Sequence, residues 1–254
     1  MSSLASKVFV VTGGASGMGL ATCRKLAEKG ARAICIGDYN DTAFDAVHED
    51  LNQINPRTEV TLTKLDVSSS TQVKAWIDGV VAKYQALDGA LNAAGVAESL
   101  RAGKRLEILE ESDEAWRRTI GVNLDGVFYC SREQVRAMVQ LPPAPRSIVN
   151  IASMLPYLHT GNLYAYGASK AGVVHLSSNL AVDVAKYGIR VNSICPGLTT
   201  SAMYKQFIPE ENESCVPQES KVDPAEVAAT VVWLLSEDSP RVSGVALPVG
   251  PGMP

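Results

Sequence analysis

The sequence has no long hydrophobic run and no block of like charge, and each absence argues against a class of protein. The stretch K-V-F-V-V at residues 7–11 is far too short for a secretory signal or a membrane span, so we expect neither. The net charge is −4 over 254 residues, and lysines and arginines form no run. Nucleic acid and membrane are therefore not expected as partners.

Histidine is scarce, and neither histidine nor cysteine forms a metal-ligand pattern. The three histidines are scattered at positions 48, 159 and 175. The five cysteines, at positions 23, 35, 130, 195 and 215, contain no C-x-x-C pair. We therefore expect no metal site and no disulfide framework. An odd number of cysteines with apolar neighbours is typical of reduced, buried thiols, which favours a cytoplasmic protein.

Apolar runs rich in β-branched residues alternate along the chain with amphipathic stretches. Residues 7–12, 31–37, 59–65, 89–93, 147–152, 190–194 and 245–249 are predicted strands; 19–29, 70–84, 113–139, 164–187 and 224–235 are predicted helices. With 46% apolar residues, the chain can bury one substantial core, so we expect one domain over residues 1–254. The alternation predicts an α/β Rossmann fold, a doubly wound parallel sheet of about seven strands with helices on both faces.

A glycine-rich turn, T-G-G-A-S-G-M-G-L at residues 12–20, follows the first predicted strand and opens a helix. Glycines lack Cβ atoms, so the backbone can approach a pyrophosphate, whose charge then meets the free N–H groups of the helix. The predicted strand before this turn and the predicted helix after it favour a dinucleotide-binding site over a plain turn.

Asp38 ends the second predicted strand, nineteen residues after Gly19. A carboxylate at this distance is placed to bind the adenosine ribose hydroxyls, and it would repel a ribose phosphate. No arginine occurs in residues 39–41, which favours NAD over NADP as the cofactor. A helix cap or a surface aspartate is the alternative interpretation of Asp38.

Tyr166 and Lys170 lie four residues apart in a predicted helix, so they share one face. A free phenol has a pKa of about 10, and a fixed cation nearby lowers it. Such a tyrosine can exchange a proton with an alcohol oxygen. Ser153 precedes Tyr166 by thirteen residues. Alone, Y-x-x-x-K is a short pattern that also arises by chance.

Taken in order, these motifs resemble the short-chain dehydrogenase/reductase family over the whole chain. Thr12, Gly13, Gly17 and Gly19 match its glycine pattern, and Asp66-Val67 matches the pair that borders the adenine. L-N-A-A-G at residues 91–95 stands where the family has N-N-A-G, with Ala93 replacing the second asparagine. Segments 108–116, 122–129, 164–167 and 232–239 are similar to fungal secondary-metabolite dehydrogenases of the chanoclavine-I dehydrogenase type.

The resemblance implies four catalytic residues, namely Asn123, Ser153, Tyr166 and Lys170. The implied cofactor-binding residues are Gly13, Ser16, Gly17, Met18, Gly19, Asp38, Asp66, Val67, Asn92, Ala93, Gly95, Tyr166, Lys170, Pro196, Gly197, Thr199 and Ser201. Either Thr199 or Ser201 would supply the hydroxyl that contacts the nicotinamide. The last predicted strand lacks the family's aspartate before the double glycine. A homo-oligomer, a homotetramer or a dimer, is also implied.

Three segments are expected to enclose the substrate, at residues 96–106, 154–163 and 198–222. Their bulky side chains predict a large, mainly apolar substrate, or simply a hydrophobic lid: Met154, Tyr157, Leu158, Met203, Tyr204 and Phe207. The expected activity is NAD-dependent interconversion of a secondary alcohol and a ketone or related carbonyl, within secondary metabolism. An NADPH-dependent carbonyl reductase and a dinucleotide-binding scaffold or cyclase are the alternatives.

Overall fold

The computed structural model describes residues 4–97, 107–158, 163–201, 203–207, 217 and 220–251. Its strands are β1 (Val8–Thr12), β2 (Ala33–Asp38), β3 (Glu59–Lys64), β4 (Gly89–Asn92), β5 (Arg146–Ile151), β6 (Ile189–Pro196), β7 (Leu198–Thr199), β8 (Lys221–Val222) and β9 (Ala246–Val249). Seven of them form one parallel sheet in the order β3-β2-β1-β4-β5-β6-β9. This confirms the predicted parallel sheet.

Helices cover both faces of this sheet. They are α1 (Gly17–Glu28), α2 (Phe44–Ile54), α3 (Ser70–Tyr84), α4 (Asp113–Ile120), α5 (Gly126–Gln140), α6 (Tyr164–Val184), α7 (Tyr204–Phe207) and α8 (Pro224–Leu235). Leu26, Leu51 and Val231 place α1, α2 and α8 in one core layer. Ile77 and Met138 place α3 and α5 in the other. The strands between the layers are apolar on both faces because both faces are buried.

Two local features differ from the sequence prediction. The stretch expected to be one helix from residue 113 to 139 is interrupted by a π-helical turn, Gly121–Asp125, between α4 and α5. The short parallel pair of β7 and β8 was not predicted, because two-residue strands are too short to show an alternating pattern. The π-helical turn matters for function because such turns often re-aim side chains at functional sites.

Strand order reverses between β1 and β4: β2 and β3 are added on one side of β1, and β4, β5, β6 and β9 are added on the other. In doubly wound folds, ligands bind at the carboxyl ends of the strands beside such a reversal. The glycine turn follows β1 and Asp38 ends β2, which places both at that edge. Among helices in the described ranges, none has the length and hydrophobicity needed to span a membrane.

Candidate active site

A cleft of about 420 Å³ opens at this edge of the sheet. Many of the predicted cofactor residues line it, and Met203 from the substrate set joins them: Gly13, Ser16, Gly17, Met18, Gly19, Asp38, Asp66, Val67, Ala93, Gly95, Ser201 and Met203. Residues outside the predicted catalytic, cofactor-binding and substrate residues also line it: Gly37, Tyr39, Leu65, Ser68, Ala94, Val96, Arg118 and Val122. Segments far apart in sequence therefore share one site.

The glycine turn fits closely against its neighbours. At Gly13, where φ is +67°, a Cβ atom would lie 2.7 Å from the backbone nitrogen of Ala94. A Cβ at Gly19 would overlap the carbonyl oxygen of Gly13. Only glycine fits these two positions, so the turn packs tightly against the segment after β4 and against itself, and its backbone lines the cleft.

Helix α1 begins in this turn with its amino-terminal N–H groups left for a ligand. Its N-cap residue, Ser16, makes no side-chain cap, and its first turn has no acidic residue. By contrast, a Ser69 side chain caps α3, and Asp223 forms a capping box on α8. The unsatisfied N–H groups and the helix dipole suit an anion. The turn therefore fits the pyrophosphate of a dinucleotide cofactor.

Asp38 connects the end of β2 to the glycine turn. Its carboxylate oxygens accept hydrogen bonds from the backbone N–H groups of Ala15 and Asn40, each at 3.0 Å. The side chain is only partly buried and lines the cleft. A negative charge is thus held rigidly where the ribose next to the pyrophosphate would lie.

Tyr166 and Lys170 project from the first turns of α6. The Lys170 ammonium lies 5.6 Å from the centroid of the Tyr166 ring and donates a hydrogen bond to the carbonyl of Ile151 at 2.8 Å. Lys170 is 4% exposed, and this burial lowers its pKa to about 8. Desolvation disfavours the charged form, so the protein holds a poised cation beside the phenol.

Asn123 occupies the π-helical turn and is fully buried. Its side-chain amide exchanges two hydrogen bonds with the backbone of Val96, both 2.8 Å, and donates a third to the Ser169 hydroxyl at 3.2 Å. A Cβ atom on Gly95 would lie 3.4 Å from Asn123 Oδ1 and 3.6 Å from Lys170 Nζ. Asn123 and Lys170 therefore meet at the strand end that carries Gly95.

Ser153 follows β5 at the same edge of the sheet. Its hydroxyl oxygen accepts a hydrogen bond from the N–H of Leu155 at 3.1 Å, which orients the side chain and leaves its proton for another acceptor. The carbonyl of Pro196 accepts a hydrogen bond from Met154 at 3.0 Å, so the end of β6 supports the serine loop. The four predicted catalytic residues thus surround the carboxyl ends of β4 to β6.

Comparisons with known proteins agree with this geometry. A family model described as enoyl-(acyl carrier protein) reductase matches residues 13–254. The chanoclavine-I dehydrogenase of Penicillium roqueforti is 47% identical over 261 residues, with 100% of both chains covered. The chain belongs to the short-chain dehydrogenase/reductase family. It is thereby an oxidoreductase acting between alcohols and ketones.

Solved structures show the same architecture as this short-chain dehydrogenase/reductase. Levodione reductase superposes with a TM-score of 0.89 at 29% identity, covering 98% of each chain. A xylitol dehydrogenase solved with bound NAD+ has a TM-score of 0.87 at 28% identity, covering 99% of this chain and 100% of the other. Within the residues described, no three histidine, cysteine, aspartate or glutamate side chains are grouped to hold a metal ion.

Asn92 was expected at the cofactor, but its side chain points into the protein. It is 1% exposed and exchanges hydrogen bonds with Gln134 of α5 at 2.8 and 3.1 Å. It also donates to Asn150 of β5 at 2.8 Å, and Asn150 donates in turn to Ser177 of α6. This buried network joins the sheet to two helices beneath the site.

Asn92→Ala should therefore lower the free energy of unfolding and leave cofactor binding nearly intact. The substitution leaves buried amide groups of Gln134 and Asn150 unpaired, at a cost of about 1–3 kcal/mol each. Urea unfolding followed by NADH titration of the folded variant would measure both effects. Unchanged stability with lost NADH affinity would place Asn92 at the cofactor after all.

The two candidate nicotinamide hydroxyls differ in position. Thr199 is 9% exposed and donates to the carbonyl of Gly197 at 3.1 Å, within its own turn. Ser201 lines the cleft, and a Cβ on Gly17 would lie 3.7 Å from its Cβ. Ser201 is the better placed of the two. Pro196 ends β6, Gly197 follows it, and neither residue lines the described cleft.

Cys195 is a residue whose position the sequence motifs did not indicate. Its thiol contacts the Tyr157 hydroxyl and the backbone of Ser153, and it packs with Met154 and Val173. Burial raises the pKa of this thiol, so it is neutral. Its place at the end of β6, directly before Pro196, was the available signal, because strand ends converge on the site.

The predicted substrate residues fall into two groups. Met154 and Tyr204 are buried, whereas Tyr157 and Leu158 are 42% and 36% exposed. The Phe207 side chain and residues 98–106, 159–162 and 208–216 of the expected substrate segments lie outside the described residues. Tyr157 and Leu158 therefore provide exposed apolar surface next to Ser153.

Proposed function

We propose that this enzyme catalyses NAD-dependent interconversion of a secondary alcohol and the corresponding ketone or related carbonyl on a bulky, largely apolar small molecule. The observation that carries the proposal is the Lys170 ammonium, which lies 5.6 Å from the Tyr166 ring and next to Gly95 in the wall of the cleft. A buried lysine whose pKa is lowered by burial, next to a phenol, is typical of a functional site.

Tyr166 acts as the general base in oxidation and the general acid in reduction. Its phenolate takes the hydroxyl proton of the alcohol as the carbonyl forms, and its phenol returns a proton in the reverse direction. The nearby Lys170 charge favours the phenolate. The Ser153 hydroxyl donates to the substrate oxygen, while Asn123 fixes Val96 and the base of α6. When bound, the nicotinamide supplies the hydride chemistry.

The curated relatives suggest the first substrate to test. Their shared name, chanoclavine-I dehydrogenase, belongs to proteins 41–47% identical to this chain. We infer that this enzyme oxidises chanoclavine-I or a compound of similar shape in cytoplasmic secondary metabolism. Purified enzyme mixed with chanoclavine-I and NAD should generate NADH fluorescence; oxidation supported only by NADP would contradict the proposed cofactor.

Asp38 should select NAD, and Asp38→Ala is expected to remove most of the preference. The carboxylate binds ribose hydroxyls and repels a ribose phosphate, so its loss should weaken NADH binding roughly tenfold and strengthen NADPH binding. Fluorescence titrations with both nucleotides would measure the ratio. Asp41→Ala is the matched control, since Asp41 is exposed and pairs with Lys64 instead of lining the cleft. An unchanged ratio in Asp38→Ala would refute the assignment.

A homo-oligomer, tetramer or dimer, is part of the proposal. Val173 and Val184 of α6 are buried within the chain, so they do not form a surface for a second subunit. Phe128 of α5 is 43% exposed and Val182 of α6 is 80% exposed. Exposed apolar side chains on adjoining helices favour subunit contact. Sedimentation of the purified protein would measure its mass in solution and so test for the oligomer.

A further inference from the structure

Arg118 is the cationic side chain of the cofactor cleft. Among the described residues that line the cleft, the charged ones are Asp38, Asp66 and Arg118. Two carboxylates would repel the anionic dinucleotide, and Arg118 is the residue that offsets them. No family motif identified this arginine in the sequence.

The helix geometry places Arg118 at one end of the cleft. Helix α4 continues into the π-helical turn, so Arg118, Gly121 and Val122 lie three and four residues apart and share a face. A Cβ on Gly121 would lie 3.9 Å from the Cβ of Ser68. This face therefore meets the segment that carries Asp66 and Val67.

Arg117, the residue before Arg118, has an ion pair within α4 and serves as a comparison. Arg117 pairs with Asp113 at 2.7 Å, one turn earlier, and both side chains are largely exposed. Arg118 is also exposed, but no carboxylate of the described residues lies within ion-pairing distance of it. Arg118 instead lines the cleft, and the ion pair on this part of α4 belongs to Arg117.

The chemistry of this end of the cleft suits a flat aromatic ring. Val67 and Val122 provide apolar walls, and the Asp66 carboxylate is engaged by the Ser68 N–H and hydroxyl at 2.9 and 2.6 Å. An arginine guanidinium is planar and stacks on aromatic faces. A phosphate, by contrast, would be placed close to the Asp66 charge.

We propose that Arg118 binds the adenosine half of the cofactor by packing its guanidinium on the face of the adenine. This inference rests on the proposed function. Because the adenine is common to both dinucleotides, Arg118 strengthens NADH and NADPH binding alike. It raises affinity without selecting between them, which separates its role from that of Asp38.

Titration of Arg118→Ala against wild type tests the inference, with four probes: NADH, NADPH, adenosine monophosphate and reduced nicotinamide mononucleotide. We expect the first three to bind roughly tenfold more weakly and the mononucleotide to bind unchanged. Arg117→Ala, the neighbouring control, should match wild type for every probe.

Three results would overturn the inference. Weaker binding of NADPH alone would mean that the guanidinium contacts a ribose phosphate. Unchanged affinities in an enzyme that binds NADH would refute the role of Arg118 and leave the proposed function intact. Failure of the wild type to bind either dinucleotide would overturn both.

Discussion

Tyr166→Phe is expected to lower kcat for alcohol oxidation by roughly 10²–10⁴-fold, the range that general acid–base catalysis supplies. Phenylalanine keeps the ring over which Lys170 lies, 5.6 Å from the centroid, and removes only the hydroxyl that exchanges the proton. The Kd for NADH should therefore stay close to that of the wild type. Steady-state kinetics and fluorescence titration on the same preparation would separate the two effects.

Tyr164→Phe is the matched control for this experiment. Tyr164 begins the same helix two residues earlier, but the residue four positions on is Ala168 and not a lysine. We expect it to retain turnover. Substantial turnover by Tyr166→Phe, or an equal loss in both variants, would remove Tyr166 from the proton-transfer role.

Lys170→Met is expected to reduce kcat by roughly a hundredfold or more, because the phenolate of Tyr166 loses its stabilising cation. The same variant should not be less stable than the wild type at pH 7. A pKa lowered from 10.5 to about 8 means that the buried ammonium costs about 3 kcal/mol when charged. Lys170→Met removes this cost, and the gain offsets the loss of the hydrogen bond to Ile151, which is worth about 1–3 kcal/mol.

The pH dependence of stability identifies Lys170 as the cause. Between pH 8 and 10.5 the Lys170 side chain keeps its proton in the unfolded chain and has lost it in the folded chain. The free energy of unfolding of the wild type therefore receives a contribution from Lys170 that rises with pH over this range. Lys170→Met lacks the contribution, and its advantage over wild type should shrink between pH 7 and pH 10. Urea unfolding at the two values measures this.

Lys186→Met provides the reference for that comparison. Lys186 is exposed on the turn after α6, next to the Tyr187 ring. The free energy of unfolding of Lys186→Met should equal that of the wild type at both pH values. A parallel pH response of Lys170→Met and the wild type would show that Lys170 is not a destabilised buried cation.

Local sequence patterns predicted the features that depend on spacing along one element. The bounds of α3 and α8 agree with the predicted stretches 70–84 and 224–235. The glycine turn and Asp38 were recognisable because each follows an apolar strand, and strands of this fold end at the same edge. Tyr166 and Lys170 needed only a helical period to be placed together.

Features that depend on packing between elements were not visible in the sequence. The π-helical turn at Asn123 interrupts a helix whose amphipathic pattern continues through it, and within this turn the Asn123 side chain exchanges two hydrogen bonds with the backbone of Val96. Arg118 has the pattern of a solvated helix face, and its place in the wall of the cleft depends on how α4 packs beside the segment that carries Asp66. Asn92 belongs to a binding motif in sequence but faces the core.

The most direct test of NAD-dependent chemistry is a titration of the purified wild-type enzyme with NADH and, separately, with NADPH, followed by nicotinamide fluorescence. We expect saturable binding of both with a clear preference for NADH, as the glycine turn and the Asp38 carboxylate require. A preference for NADPH, or binding of neither nucleotide, would contradict the assignment of this cleft.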